Sequence, residues 1–510
     1  MTYSVAPLKE KPATDLLTES LQSKLRHPET SSEFDLHHGV NQVLKDVGMT
    51  TADSGGKLSF YGRDPIIPSP VRFGSMAAIG LAAKGVAVAA LWRSRTGEGQ
   101  DVSVDVRKAL QRFAGFFERK WELINGRPPA AGADALNPFL EIPLFRETRD
   151  GRHVVALNIY PKVRARAFKF LRCSDSVEGL QNAILQWRAE ELETAAAEAG
   201  LVIAMVRTND EFRKELQYTE VLSRMPLICL EKIGDSEPMP FKPDATTPLD
   251  GIRALGMGHV IAGAGIGRDL ACYGADVLNI WRPDDTEIEA FAWDVQVGMR
   301  STILDDSAED RAKFDRLLKD ADVFFANKRP GYLARTGLTA EELCEKRPGL
   351  IHATVVLHGE KGPWSNRPGF DEIGAAVTGL FAIEGTPTQP KSPPIIPICD
   401  NVVGWLGTVG ILEALRRRAV EGGSYRVVVS LTRTVLWQLS LGIFDKAYAR
   451  ATAGSTDEHR NIAPDLFTAE TPLGTYQGMT DQVVLSRTPG SFRTVLVPRG
   501  SSKPEWSGLR

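Results

Sequence analysis

The chain has 510 residues, 43% hydrophobic and 25% charged, with a formal net charge of -3. This length exceeds one ordinary core and suggests about two to four domains of a globular protein. The near-neutral charge gives no surface-wide attraction for a polyanion, which excludes a nucleic-acid binder as the leading class. Cys173, Cys229, Cys272, Cys344 and Cys399 show neither metal spacing nor an even disulfide pattern, so no metal site is expected.

At the start, MTYSVAPLKEKPATDLL has no hydrophobic core of a secretory signal. His37 and His38 lie in a polar stretch and read as surface residues. The longest small-apolar run, Met76 to Trp92, is interrupted by Lys84 and is shorter than the roughly 20 residues a bilayer needs, so no membrane span is expected. These features favour a reducing intracellular compartment, the cytoplasm or an organelle matrix.

Residues 78–104, AIGLAAKGVAVAALWRSRTGEGQDVSV, and 402–428, VVGWLGTVGILEALRRRAVEGGSYRVV, form an internal repeat that aligns without a gap. Gly80 falls on Gly404, Ala90 on Ala414, Arg93 on Arg417 and Gly99 on Gly423. Each copy reads as a small-residue helix, a basic last turn, a glycine break and a strand. The alignment puts Met76 on Asp400, so only the second copy carries a carboxylate there.

The second half opens as an α/β unit. LDGIRALGMGHVIAGAGIGRDLACYGADVLNIWRP (249–283) predicts a strand around 252–255, a glycine-rich turn, a helix over 268–273 and a strand over 275–281. Gly258, Gly263, Gly265 and Gly267 would permit close approach of a ligand phosphate. The dinucleotide fingerprint is misplaced, however, and Arg282 stands where a nicotinamide site wants an acid, which disfavours NAD. Strands then alternate with helices: 298–306, a helix at 308–321, 322–331, a capped helix at 338–349, and 350–359. This predicts a parallel sheet, with Asn327, Arg329, Lys361 and Asp371 just past strand ends, where such sheets bind ligands. Last comes PPIIPICDNVVGWLGTVGILEALRRR, in which Asp400 follows an apolar run and begins a helix. Two readings stay open: a helix N-cap, or a nucleophile toward an activated acyl group.

Taken in order, these segments resemble the class III CoA-transferases (CaiB/BaiF family). The strand–turn–helix at 249–283, GMRSTILDD, VFFANKRPGYLARTGLTAEEL, VVLHGEKGPWSNRPGFDEIGAAVTGL and PICDNVVGWLGTVGILEALRRR follow the family's order. In the first half, RSRTGEGQDVSVDVRKAL resembles its R-T-G-x-G-Q strand, and 137–157, with the Asp150-Gly151-Arg152 turn, the start of its small domain. The resemblance covers about 70–440 and implies an α/β fold: a Rossmann-like large domain with a parallel sheet, plus a smaller α/β domain. The implied organisation is an N-terminal extension (1–69), a segment completing the large domain (70–110), a small domain (111–245), the large domain (246–440) and a C-terminal extension (441–510).

The resemblance also implies the chemistry. Asp400 falls on the family's catalytic aspartate, which takes CoA from an acyl-CoA to a carboxylic acid through mixed-anhydride and aspartyl-CoA intermediates. Arg282, Asn327, Arg329 and Lys361 are the expected CoA contacts, with coenzyme A as substrate and no permanently bound cofactor. Backbone N–H groups near Gly404 are the expected oxyanion donors. The family's interlocked homodimer is the implied assembly, with no membrane or nucleic-acid partner. An acyl-CoA isomerase or racemase, or an inactive member acting as a partner protein, are the alternatives. Phe370 stands where the racemases carry histidine, and phenylalanine cannot move a proton. Asn401 after the aspartate, Ala264 after Gly263, and RAVEGGSY in place of R-T-G-x-G-Q depart from the family's pattern.

Overall fold

The computed structural model describes residues 13–129, 139 and 144–508. The expected N-terminal extension lies outside the described residues over 1–12, the small domain over 130–138 and 140–143, and the C-terminal extension over 509–510.

Six parallel strands form the central sheet: Arg253–Met257, Asp276–Trp281, Arg300–Ile303, Val323–Ala326, Ile351–Val356 and Ser424–Ser430. Counted along the chain, their spatial order is 3-2-1-4-5-6, that of a doubly wound α/β sheet whose direction reverses between the first and fourth strands. Val323–Ala326 and Ile351–Val356 are buried at every position, as apolar runs without alternation are when both faces are covered. A seventh strand, Cys229–Gly234, closes one edge antiparallel to Ser424–Ser430. It comes from the end of the segment assigned to the small domain.

The first helix of the unit spans Ala262–Cys272 and so begins six residues before the sequence reading placed it. The glycines Gly263, Gly265 and Gly267 lie inside it, not in a phosphate-facing turn. Their smallness serves packing. A Cβ on Gly263 would meet Asn327 at 2.5 Å, and one on Gly267 would meet Met299 at 2.2 Å and Phe325 at 2.6 Å.

The segment read as a small domain holds an antiparallel sheet of Phe145–Glu147, His153–Ala156 and Ile203–Met205, with the helices Pro161–Leu171, Val177–Ile184 and Ala189–Glu198. Gly151, at φ +70°, makes the turn between its first two strands.

Both repeat copies take the expected form, the helix Phe73–Thr96 before the strand Val102–Asp105 and the helix Asp400–Glu421 before Ser424–Ser430. The two helices pack together: a Cβ on Gly80 would lie 2.9 Å from the Trp405 ring. Their strands part company. Val102–Asp105 does not join the large sheet; it pairs with Leu58–Tyr61 and Val483–Leu485 in a separate sheet. Its alternating burial suits a sheet with one wet face, whereas Ser424–Ser430 is buried nearly throughout. Within 70–110, the helix thus meets the Asp400 helix while the strand lies in the separate sheet.

That helix corrects one expectation. It is 24 residues long because Phe73 to Ser75 and the basic turn to Thr96 extend the apolar run, and it has the length and hydropathy to cross a membrane. Its apolar window is wholly buried inside the fold. At its centre, Lys84 is fully buried and contacts Asp269 at 2.7 Å and Asp481 at 2.5 Å. Thr408, the repeat equivalent of Lys84, donates to the same Asp269 at 3.3 Å, and the Tyr273 hydroxyl donates to Asp481 at 2.5 Å. The network joins four segments. Replacing Lys84 by methionine strands two buried carboxylates, and a loss of about 3–5 kcal/mol is expected in urea unfolding. An unchanged midpoint would show that the network contributes nothing.

Candidate active site

A cleft of about 190 Å³ opens where the sheet reverses, outside the carboxyl ends of the first, fourth and fifth parallel strands. His259 and Val260 reach it from the first strand's turn, Asn327, Lys328 and Arg329 from the fourth, and Arg367 and Phe370 from the loop beyond the fifth. Asp400 is its carboxyl group, only 5% exposed.

Asp400 is the first residue of its helix, and Cys399 holds the N-cap position. The capping oxygen comes from elsewhere. Asp371, fully buried at the head of the helix Asp371–Thr378, accepts the backbone N–H groups of Ile398 (2.7 Å), Cys399 (2.7 Å) and Asp400 (3.0 Å) on its Oδ2. The N-cap reading of Asp400 is thereby corrected: the helix start is satisfied 29 residues away in sequence, and the Asp400 carboxyl is left facing the cleft. Burial, then the neighbouring carboxyls of Asp371 and Glu372, hold Asp400 well above the usual carboxylate range. Burial also raises Asp371 and Glu372, with Asp371's charge adding to the effect on Glu372.

Cations line the same cleft. Arg329 donates to the Asn366 carbonyl at 3.4 Å and has no carboxylate partner among the described residues. Arg367 lies over the Trp364 ring at 4.2 Å and 3.4 Å from Glu193. Burial pushes the Lys328 ammonium down, and its nearest carboxylate, Asp285, is 3.9 Å away.

Of the expected CoA contacts, the cleft brings Asn327 and Arg329 together with Asp400. The Asn327 amide is already engaged with His259, accepting its N–H at 3.0 Å and donating to its carbonyl at 2.8 Å, and so clamps the two turns across the reversal. Arg282 lies outside the cleft. It pairs with Asp306 and donates to the Tyr332 hydroxyl at 3.2 Å and the Leu304 carbonyl at 3.3 Å, tying neighbouring loops together. Lys361 is exposed and also outside, in a loop whose backbone the Gln217 amide holds at 2.9 Å. Gly404 lies one turn inside the helix, where a Cβ would stand 3.2 Å from the Ala262 carbonyl, so it packs against protein.

Sequence reading missed His259, Val260, Lys328 and Arg367. Lys328 and Arg367 stand inside the motifs already quoted. His259 packs edge-on against Trp281 at 4.5 Å, and burial, with the Lys328 and Arg499 charges, holds it well below its ordinary value. Val260 has φ +56°, a strained conformation for a β-branched residue. Its N–H is held by Glu287 at 2.8 Å. Nothing in the sequence announces that strain.

Comparison with known proteins adds the following. Residues 249–483 match CoA-transferase family III, so the match starts at the large domain and runs past the expected limit near 440. The chain is 33% identical over 207 residues to the acetyl-coenzyme A transferase nodX of Hypoxylon pulicicidum, covering 39% of this chain and 35% of that protein. It is 30% identical over 262 residues to the succinyl-CoA–L-malate CoA-transferase alpha subunit of Chloroflexus aurantiacus (strain ATCC 29366 / DSM 635 / J-10-fl), covering 46% and 58% respectively. The chain thus spans between about a third and just over half the length of these relatives. A crystal structure of a CAIB/BAIF family protein from Brucella suis is 26% identical, with 45% of this chain and 65% of that chain covered and a TM-score of 0.35.

Proposed function

We propose that this chain, whose residues 249–483 match CoA-transferase family III, moves coenzyme A from an acyl-CoA thioester to a carboxylic acid with Asp400 as the covalent nucleophile. The observation that carries this reading is the Asp400 carboxyl itself. It faces a cleft at the reversal point of the sheet, and Asp371 has relieved it of the capping duty that would otherwise explain it.

The chemistry runs in four displacements. The ionised Asp400 carboxylate attacks the thioester carbonyl, the C–S bond breaks, and CoA leaves as a thiolate, with the acyl group held on Asp400 as a mixed anhydride. The thiolate then attacks the aspartyl carbonyl, releasing the donor's acid and leaving an aspartyl-CoA thioester. The acceptor carboxylate attacks that thioester, and the departing thiolate returns to the new acyl carbonyl, freeing Asp400 and the new acyl-CoA. Each step exchanges one activated acyl bond for another, so water must be kept out. The 5% exposure of Asp400 supports that requirement. Arg329, without a carboxylate partner among the described residues, and Lys328 offer the anion-binding side of the cleft for a CoA phosphate or the acceptor's carboxylate. Asn327 serves by holding the His259 turn in place. Acetyl-CoA and succinyl-CoA are the first donors to try, given the names of the relatives.

Incubation with either donor, trapping with hydroxylamine and peptide mapping by mass spectrometry should place the modification on Asp400. Calorimetry should show binding of CoA in preference to NAD. A label on another residue removes Asp400 as nucleophile, and binding of NAD without CoA removes the transferase reading altogether.

A further inference from the structure

Three guanidiniums gather at the outer rim of the Asp400 cleft. Arg329 lines the cleft at the head of the helix Pro330–Thr336, and Arg335 stands in that helix's last turn. Arg166 comes from the other side, on the helix Pro161–Leu171. All three are exposed, and none has a carboxylate partner among the described residues. Their hydrogen bonds are long ones to backbone carbonyls: Arg166 to Gly200 at 3.5 Å, Arg329 to Asn366 at 3.4 Å and Arg335 to Gly331 at 3.4 Å. Contacts of that length leave most of a guanidinium's donors free.

The helix Pro161–Leu171 is fixed against the cleft by its first residues. Tyr160, its N-cap, sets its ring 6.2 Å from that of Phe370, a cleft residue, and donates its hydroxyl to Glu287 at 2.7 Å. Lys162 pairs with Asp284. Arg166 follows Lys162 by four residues, so it lies on the same face, about 6 Å further along the axis. Desolvation, then the charges of Arg166 and Arg335, hold Arg329 below its ordinary value. The nearby carboxylates are engaged by other cations: Asp284 by Lys162, Asp306 by Arg282, while Asp285 lies 3.3 Å from His259 and 3.9 Å from Lys328. Like charges held together repel, and a multiply charged anion relieves the repulsion.

On the transferase reading, we propose that this cluster holds the 3′-phosphate of coenzyme A, with Arg166 as the residue that makes the protein distinguish CoA from dephospho-CoA. The pantetheine arm separates CoA's phosphates from the reacting carbonyl, and Arg166 lies outside the residues that line the cleft around Asp400. Among those phosphates the 3′ group is a monoester, with a charge of about -1.5 to -2 at pH 7 and three acceptor oxygens. Each phosphorus of the diphosphate bridge carries only a single charge. The more highly charged group suits three guanidiniums, whose forks match phosphate oxygens in pairs.

Calorimetric titration of the full chain with CoA, dephospho-CoA and adenosine 3′,5′-bisphosphate is the test. CoA is expected to bind about tenfold or more tighter than dephospho-CoA, the scale of one charge-assisted hydrogen bond, and the bisphosphate to compete with CoA. Arg166→Ala should remove most of that preference by weakening CoA while leaving dephospho-CoA as it was, and Arg166→Lys should restore part of it. Arg166→Gln takes the place of Arg166→Ala if thermal melting shows that variant misfolded. Equal affinity of the parent for CoA and dephospho-CoA, an unchanged preference in folded Arg166→Ala, or a loss that falls on both ligands alike each overturns the proposal. Those results leave labelling of Asp400 untouched, whereas binding of neither ligand, with no label on Asp400, removes the transferase reading as well.

Discussion

Asp400→Asn is expected to lose transferase turnover by on the order of 10³-fold or more, since removal of a covalent nucleophile leaves only binding and orientation, and yet to melt no lower than the parent protein. The two halves of this expectation belong together. Asparagine caps a helix about as well as aspartate, so a mere cap would lose neither stability nor turnover in this variant; the loss of turnover is what marks a nucleophile. Asp400 is not the cap, and its pKa stands well above 3.8 because of burial and the Asp371 and Glu372 carboxyls. A carboxyl raised in this way contributes stability fully below its unfolded value and loses it as pH rises through the folded value. Asparagine has no proton to lose. The difference in melting temperature between variant and parent should therefore widen in the variant's favour as pH rises above the ordinary carboxylate range, while the acylation rate of the parent climbs with pH as Asp400 ionises. A variant that melts lower at every pH, or that turns over normally, would refute the assignment.

The sheet was legible because its strands are apolar runs of the right length between turn residues. Val323–Ala326 and Ile351–Val356 sit where the alternation of strand and helix put them. Thr339, with Glu342 three residues on, forms the capping box its sequence spells out. The GAGIG run misled, because glycine permits either a ligand's approach or a neighbour's. Only the three-dimensional neighbours, Asn327 beside Gly263 and Met299 beside Gly267, decide between them. The repeat was equally visible, but the partner of a strand is not written in the strand. VSVD found Leu58–Tyr61 and Val483–Leu485, both far from it along the chain or outside the repeat.

At the site, position along the chain located Asn327 and Arg329 in the cleft because residues just past parallel strands converge at the sheet's reversal, whereas Asp400 was marked by the apolar run before its helix and by the family resemblance. The same rule overreached for Arg282 and Lys361. Arg282 follows the second strand, one place away from the reversal, and its charge is used by Asp306. Lys361 follows the fifth strand by several residues, far enough for its loop to turn outward to solvent. Neither distinction has a local signature.

Asp371 is the strongest case of a role that sequence could not give, and its removal is expected to have the second large effect. Its one oxygen holds three backbone donors at the start of the Asp400 helix. Asp371→Ala leaves those buried N–H groups without an acceptor, and at about 1–3 kcal/mol for each unmet donor the loss is about 3 kcal/mol or more. Urea unfolding would read it directly. Asp371→Asn separates structure from chemistry. It keeps an amide oxygen for the three donors but removes one of the two charges that raise Asp400. The acylation rate should then rise at lower pH than in the parent, because the proton on Asp400 leaves more easily. A purely structural residue would change the amplitude of that profile and not its position. An unshifted profile in a folded Asp371→Asn variant, or an Asp371→Ala variant as stable as the parent, would show that Asp371 neither tunes the nucleophile nor holds its helix.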